Sequence, residues 1–255
     1  MHPEQRLEVN GRSWGAISLG NSGPALVLLP GTLGRADIFW NQMDALQNQA
    51  RILALSYPET GGVTEWTQDI CVLMQSYSMA SATVLGSSLG GYVAQYLAAT
   101  HPEIVDNLIA ANTLPSIEVL ASTPPYNTDI DALPGADLMA GFRKGLVDWA
   151  VEEPHRADLV DLLLAEVAGR IPEAELRTRL KALQGAPELP AQKLPKKHIF
   201  TVESQDDRLI PPPVRAALRQ HLDPQRSVSF EHGSHFPFVT EPQSYTQMIR
   251  EILGL

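Results

Sequence analysis

ATVLGSSLGG, residues 82–91, contains a Gly-x-Ser-x-Gly pentapeptide between a short apolar run and the helical sequence YVAQYLAA. At such a position the chain must turn sharply from a strand into a helix, which holds Ser88 in a strained conformation with its hydroxyl group exposed. Gly86 and Gly90 suit so tight a turn because they have no Cβ atom to collide with neighbouring backbone. Ser88 is therefore a candidate nucleophile, and the alternative is a glycine- and serine-rich loop without chemistry.

The alternation of short apolar runs with amphipathic stretches extends along most of the chain and predicts a βαβ sheet. The apolar runs predicted to form buried strands are residues 25–29, 51–55, 82–85, 107–111 and 198–202, followed by a last strand at 226–231. The predicted helices are residues 36–48, 65–78, 89–100, 212–222 and 240–253. Residues 6–9 and 13–18 alternate like an antiparallel edge hairpin around Asn10-Gly11. Together these patterns predict an α/β fold with a doubly wound, mostly parallel, eight-stranded sheet.

The alternation breaks between Leu114 and Leu194, where a proline-rich start is followed by several helical patterns. This stretch is too long for a single crossover helix. It predicts a helical cap over residues 115–190, inserted into a core formed by residues 1–114 and 191–255. Ordinary crossover helices are the alternative. One predicted cap helix has an apolar face that either packs on the core or lines a cleft: Leu138, Met139, Phe142, Leu146 and Trp149.

A serine hydroxyl group is a weak nucleophile unless a neighbouring base takes its proton. Of the seven histidines, only His232 and His235 follow the last predicted strand, in a loop that can approach the edge of the sheet. His235 is the preferred base, and His232 is more consistent with a solvated strand end. Asp206 and Asp207 follow strand 198–202 at the same edge, and one of them could orient the histidine. Asp207 is the preferred acid, with Asp206 as the alternative.

Two backbone N–H groups could stabilise an oxyanion formed at Ser88. Leu89 follows the serine directly, and Thr32 lies in the loop Pro-Gly-Thr-Leu-Gly after strand 25–29. This loop matches neither the dinucleotide motif G-x-G-x-x-G nor a phosphate-binding loop with its lysine. The residues predicted to contact a substrate are Gly31, Leu33 and Phe236.

Composition argues against several other classes of function. With 19 basic and 29 acidic residues, the formal net charge of −10 disfavours binding to nucleic-acid phosphates or to an anionic membrane surface. Cys71, the single cysteine, cannot form an internal disulfide, and no motif supplies a set of metal ligands. The N-terminal residues lack a signal-peptide core, and no apolar run approaches the length of a membrane span. We expect a soluble, cytoplasmic protein that needs no metal or organic cofactor.

The segments GSSLGG, DDRLIP, GSHFPF and LPGTLGRADIFW together resemble the α/β-hydrolase superfamily over nearly the whole chain. The fragments PGTLGRADIFWNQM, ILALSYP and GSSLGGYVAQYLA are most similar to its maspardin-type branch. The chain order Ser88, Asp207, His235 is also the order found in that fold. The chain departs from the pattern of the superfamily at two positions. Pro30 stands in the oxyanion loop where many members have histidine, and Glu203 stands at the start of the acid loop where many have glycine.

The resemblance implies a serine hydrolase that cleaves a small-molecule carboxylic ester, thioester or lactone through an acyl-enzyme intermediate. In this scheme Ser88 attacks the carbonyl group, His235 transfers the proton and Asp207 orients His235. Because a fold does not decide function, the alternative is a non-catalytic, maspardin-like module that binds a protein partner.

Overall fold

The apolar runs of the sequence form one eight-stranded sheet in the computed structural model, which describes residues 2–255. The strands are β1 (Gln5–Val9), β2 (Arg12–Leu19), β3 (Ala25–Leu29), β4 (Arg51–Ser56), β5 (Ala82–Ser87), β6 (Val105–Ala111), β7 (Ile199–Ser204) and β8 (Arg226–Phe230). Their order is β1-β2-β4-β3-β5-β6-β7-β8, in which β2 is antiparallel to β1 and β4 and all other neighbours are parallel. The doubly wound, mostly parallel sheet predicted from the sequence is confirmed.

Helices cover both faces of this sheet. They are α1 (Trp40–Leu46), α2 (Val63–Ser76), α3 (Leu89–Thr100), α4 (Gly135–Glu152), α5 (Ala157–Ala165), α6 (Glu173–Gln184), α7 (Pro212–Leu222), α8 (Pro237–Thr240) and α9 (Pro242–Leu253). Successive side chains of β3 pack into different apolar clusters, with Val27 in one and Leu26 and Leu28 in the other. This two-sided burial explains why the central strands are apolar at every position. No helix among residues 2–255 has the length and apolar character that a membrane crossing requires.

The N-terminal hairpin is joined to α2 through one buried carboxylate. Asn10 and Gly11 both have positive φ, 49° and 76°, as a two-residue turn between twisted strands requires. Asp69 of α2 accepts hydrogen bonds from the side chains of Asn10 (2.7 Å), Arg12 (2.6 and 2.8 Å) and Trp14 (2.9 Å). The carboxylate therefore fixes the first two strands against a helix of the core.

Helices α4, α5 and α6 lie in the long connection between β6 and β7. Most of their buried apolar side chains belong to the same cluster as Leu26 and Leu28 of the sheet, whereas Ala182 and Leu183 of α6 belong to the other cluster. The side chains in the cluster of Leu26 and Leu28 are Leu138, Leu146, Leu159, Val160, Leu163, Leu176 and Leu180. The connection is thus packed on the sheet and shares its core.

Candidate active site

Ser88 stands at the turn between β5 and α3, with φ 56° and ψ −118°. A residue with a side chain adopts this backbone conformation only where the surroundings impose it. The N–H group of Ser88 donates to the carbonyl oxygen of Ala111 (2.9 Å), and the Thr113 hydroxyl group donates to the Ser88 carbonyl oxygen (2.7 Å). The neighbouring strand β6 and the loop after it therefore hold the turn in place.

The glycines around Ser88 are required by close backbone contacts. A Cβ atom on Gly86 would lie 1.9 Å from the carbonyl oxygen of Gly90, and one on Gly90 would lie 2.1 Å from that of Leu29. A Cβ atom on Gly31 would lie 3.1 Å from Ser88 Cβ, so this loop residue packs directly against the serine. The pattern Gly-x-Ser-x-Gly is thus a steric requirement of this turn.

His235 and Asp207 form a buried, hydrogen-bonded pair, with 2.9 Å between Nδ1 and Oδ2. Asn112 Nδ2 donates to the same carboxylate oxygen (2.9 Å), and the N–H groups of Leu209 and Ile210 donate to the other one (2.8 and 3.1 Å). Burial alone would raise the pKa of the Asp207 carboxyl group. The adjacent imidazole and these hydrogen bonds outweigh burial and hold the pKa below its ordinary value. The carboxylate is therefore kept ionised and oriented toward His235.

The alternative acid, Asp206, makes other contacts. One of its oxygens accepts a hydrogen bond from the N–H group of Ser234 (2.7 Å), and the other accepts one from the Arg156 side chain (2.6 Å). Arg156 also donates to the carbonyl oxygen of His232 (2.7 Å), whereas the His232 side chain is exposed. Asp206 thus supports the backbone of the loop that carries His235.

The carbonyl groups of the loop after β3 are held by buried side chains. The Tyr57 hydroxyl group donates to the carbonyl oxygen of Pro30 (3.0 Å). Arg179 Nη1 donates to the carbonyl oxygens of Thr32 (3.0 Å) and Gly34 (2.7 Å). The loop conformation is therefore set partly by Arg179, a fully buried side chain of α6.

Two N–H groups remain free near the serine. Those of Thr32 and Leu89 have no hydrogen-bond acceptor within the part of the chain that the structure describes. Leu89 is the first residue of α3, where N–H groups have no partner inside the helix. Neither predicted oxyanion donor is therefore engaged by another group of the described residues.

The predicted site residues come together at the carboxyl edge of the sheet, since Ser88, Asp207 and His235 follow β5, β7 and β8. Asp207 and His235 are in direct contact, and Gly31 contacts Ser88. No hydrogen bond joins Ser88 to His235 within residues 2–255. Such bonds are often long before substrate binds.

A cavity of about 670 Å³ opens beside His235, between helix α4 and the core. Its apolar lining includes Leu33, Leu138, Phe142, Leu146, Trp149, Leu163, Leu209 and Phe236. The Phe236 ring meets the His235 ring edge-on, with 5.2 Å between centroids, and stacks on Trp149 at 6.5 Å. Of the predicted substrate contacts, Leu33 and Phe236 line this cavity, whereas Gly31 lies against the serine.

Several residues with direct contacts to the site are not indicated by the sequence patterns, among them Asn112, Arg156 and Arg179. Asn112 could have been found, because it directly follows a predicted strand at the edge where the site forms. The two arginines lie in the helical connection, where an amphipathic pattern does not indicate which loop an arginine reaches. Within residues 2–255, no group of three or more His, Cys, Asp or Glu side chains is arranged to hold a metal ion.

Comparison with known proteins shows similarity to a family model, to curated relatives and to solved structures. Residues 24–242 match the family model described as alpha/beta hydrolase fold. A pimeloyl-(acyl-carrier protein) methyl ester esterase of Aeromonas hydrophila is 26% identical over 91% of this chain and 96% of its own. Maspardin of Macaca fascicularis is 29% identical over 64% of this chain and 54% of its own. Among solved structures, a hydrolase from Pseudomonas aeruginosa PA01 has a TM-score of 0.81 at 21% identity, covering 99% of this chain and 98% of that one.

Proposed function

The chain belongs to the α/β-hydrolase family, and we propose that it is a serine hydrolase that cleaves carboxylic esters through an acyl-enzyme intermediate. The observation that carries the proposal is the strained serine at the sheet edge that also holds a buried, hydrogen-bonded aspartate–histidine pair. The esterase relative supports ester hydrolysis as the type of reaction. Thioesters and lactones react by the same steps and belong to the proposed substrate range.

In the proposed mechanism, Ser88 Oγ attacks the carbonyl carbon of the ester while its proton passes to His235 Nε2. The tetrahedral intermediate then collapses, and His235 returns the proton to the leaving alcohol. Water, activated by the same imidazole, hydrolyses the acyl-enzyme and restores the serine. Asp207 accepts the Nδ1–H bond of His235, so that Nε2 is the free base and the imidazolium is stabilised.

The oxyanion of the intermediate is stabilised by the N–H groups of Thr32 and Leu89. Each such donor contributes about 10²–10³ in rate in comparable sites. The N-terminus of α3 adds a positive dipole end at the same point. No step requires a metal or an organic cofactor.

We propose that residues 115–190 act as a cap on the core formed by residues 1–114 and 191–255. Helix α4 of this segment supplies Leu138, Phe142 and Trp149 to the wall of the cavity beside His235. Because this cavity opens beside His235, we propose that it takes the apolar acyl group of an ester that is attacked by Ser88. Esters with medium-length acyl groups are therefore expected to react faster than acetate esters.

A second function is a protein-binding module of the maspardin type, in which the cavity is idle. The similarity to maspardin over 64% of the chain favours it. It leaves the strained Ser88 and the buried pair of Asp207 and His235 without a role.

Labelling with an electrophilic phosphonate distinguishes the two functions, because only a serine activated by a neighbouring base reacts quickly. Mass spectrometry should find one adduct, on Ser88, that is absent in Ser88→Ala and forms much more slowly in His235→Ala. Cys71→Ser is the matched control, since burial raises the pKa of the Cys71 thiol and keeps it unreactive. A folded sample that is neither labelled nor active on a broad ester panel would refute the hydrolase.

A further inference from the structure

Gly141 and Gly145 lie in the interior of the 18-residue helix α4, one turn apart. Glycine in a helix interior destabilises the helix relative to alanine, because it has more conformational freedom to lose. Two such residues at this spacing therefore need a reason.

Packing does not supply that reason. A Cβ atom built on Gly141 or Gly145 meets no atom within 4 Å, and neither residue has the positive φ that favours glycine. Other helical glycines differ: a Cβ atom on Gly91 would lie 2.6 Å from Thr113, and one on Gly135 would lie 2.9 Å from Glu173. Alanine would thus fit at both positions of α4.

Both glycines instead line the cavity beside His235. Their Cα atoms are separated by about 6 Å along the helix axis, so they expose a strip of bare backbone on the cavity wall. The same cavity is lined by the aromatic rings of Phe142, Trp149 and Phe236. A flat ring can lie against bare backbone and stack on such side chains, whereas a linear alkyl chain does not need this width.

The charged groups at this cavity favour an uncharged occupant. Asp137, Asp148 and Glu152 line it together with a single cation, Arg208. Arg208 is already paired with Glu152 (2.5 Å) and Glu153 (2.7 Å). Asp148 is likewise paired, with Lys144 (2.5 Å), so a carboxylate on the acyl group would find no unpaired cation among the lining residues.

We propose that Gly141 and Gly145 shape the cavity for an uncharged acyl group that carries a ring. The proposal rests on the proposed ester hydrolysis and names its substrate class. It makes the two glycines determinants of specificity, retained at the expense of helix stability.

The test uses the purified full-length chain and the variants Gly141→Ala and Gly145→Ala, with 4-nitrophenyl acetate, octanoate and phenylacetate as substrates. Each variant should lower kcat/KM for the phenylacetate by about 10- to 100-fold, because the added methyl group would project into the space that the ring is proposed to occupy. The acetate should change less than about twofold, because its acyl group does not reach the helix. Each Tm should rise by about 2 °C, since alanine stabilises the helix.

Val147→Ala is the matched control, because it also raises helix propensity but Val147, unlike the two glycines, does not line the cavity. It should leave the order of the three esters unchanged. Binding of phenylacetamide, measured by calorimetry, gives a readout that does not depend on turnover and should weaken in both glycine variants.

The outcomes separate the two proposals. If no ester is turned over but phenylacetamide binding weakens in the variants, the hydrolase is refuted and the ring-binding cavity stands. Three results would each overturn the role of the glycines. The first is that both the ester preference and the binding of phenylacetamide stay unchanged in the variants. The others are a loss of kcat/KM confined to the octanoate and a fall in Tm in either variant.

Discussion

Two adjacent carboxylates, Asp206 and Asp207, follow β7 and make different contacts. Asp207 is hydrogen-bonded to His235 Nδ1, whereas Asp206 accepts hydrogen bonds from the backbone N–H group of Ser234 and from the side chain of Arg156. Asp207→Asn should lower kcat about 10⁴-fold, because the imidazole then loses its correct tautomer. Asp206→Asn keeps a carbonyl oxygen for Ser234 and should lower kcat less than about tenfold. Steady-state kinetics on one ester measures both, and the reverse ranking would contradict the assignment.

Arg179 acts as a positioning residue for the loop that carries Thr32. It donates to two carbonyl groups of that loop from a fully buried position. Arg179→Lys keeps the charge but lacks the forked donors, so the loop loses its anchor. We expect kcat to fall about 10- to 100-fold, because a misplaced Thr32 N–H group loses part of the 10²–10³ in rate that one oxyanion donor contributes. KM should change much less.

Glu175→Gln is the control for Arg179→Lys. It weakens the ion pair that Arg179 makes at 3.2 Å but leaves both contacts with the loop. It should lower Tm with little change in kcat. Equal losses of kcat in the two variants would show that Arg179 acts only through stability.

The residues of the site differ in how far the sequence predicts them. Ser88 and His235 are predictable because each stands in a short motif in the segment that follows a predicted strand. The choice between Asp206 and Asp207 depends on which carboxylate turns toward the histidine, and adjacent residues give no pattern for that. Arg179 lies 147 positions from Thr32, so only tertiary packing brings them together.

The N-terminal hairpin illustrates how one element depends on a single buried charge. Burial alone would raise the pKa of the Asp69 carboxyl group, but hydrogen bonds from Arg12, Asn10 and Trp14 and the charge of Arg12 hold it below its ordinary value. Because the folded-state pKa is lowered, this stabilisation is present above the unfolded pKa of about 3.9. It is lost as the pH falls through the folded-state pKa.

Asp69→Asn should therefore lower the free energy of unfolding by about 3 kcal/mol at neutral pH, since it leaves Arg12 without its partner. The difference from the unmodified protein should shrink as the pH falls below about 4. Urea unfolding at several pH values measures it, with the exposed Asp106→Asn as the control. A difference that stays constant with pH would mean that the charge of Asp69 is not what stabilises the hairpin.

At the scale of elements, strands are predicted more sharply than helix ends. The run 25–29 coincides with β3, because a fully apolar strand contrasts with the polar residues around it. The helix predicted at 240–253 corresponds to α9, which begins two residues later, at Pro242. Glu241 (φ −127°, ψ 50°) separates it from the short helix α8. Pro242 causes the break, since it excludes helical geometry at the residue before it.

The helical connection and the sheet are bound together at several points. Arg156 of the connection contacts Asp206, and Arg170 contacts Asp37 of the core (2.5 Å). Leu138 and Leu163 are buried in the same apolar cluster as Leu26 of β3. The length of the insertion predicts a separate segment, but its shared core with the sheet depends on contacts that no local pattern contains.

This shared core predicts that the connection and the sheet unfold in one cooperative transition. Separating the connection from the sheet would expose its buried leucines and the side of the sheet that faces them. This exposure costs about 25 cal/mol of free energy for each Å² of apolar surface. Urea unfolding followed by far-UV circular dichroism should coincide with unfolding followed at Trp149 of α4. The Trp149 signal is the difference in fluorescence between the unmodified protein and Trp149→Phe. If the fluorescence transition occurs at a lower urea concentration than the transition in circular dichroism, residues 115–190 unfold on their own.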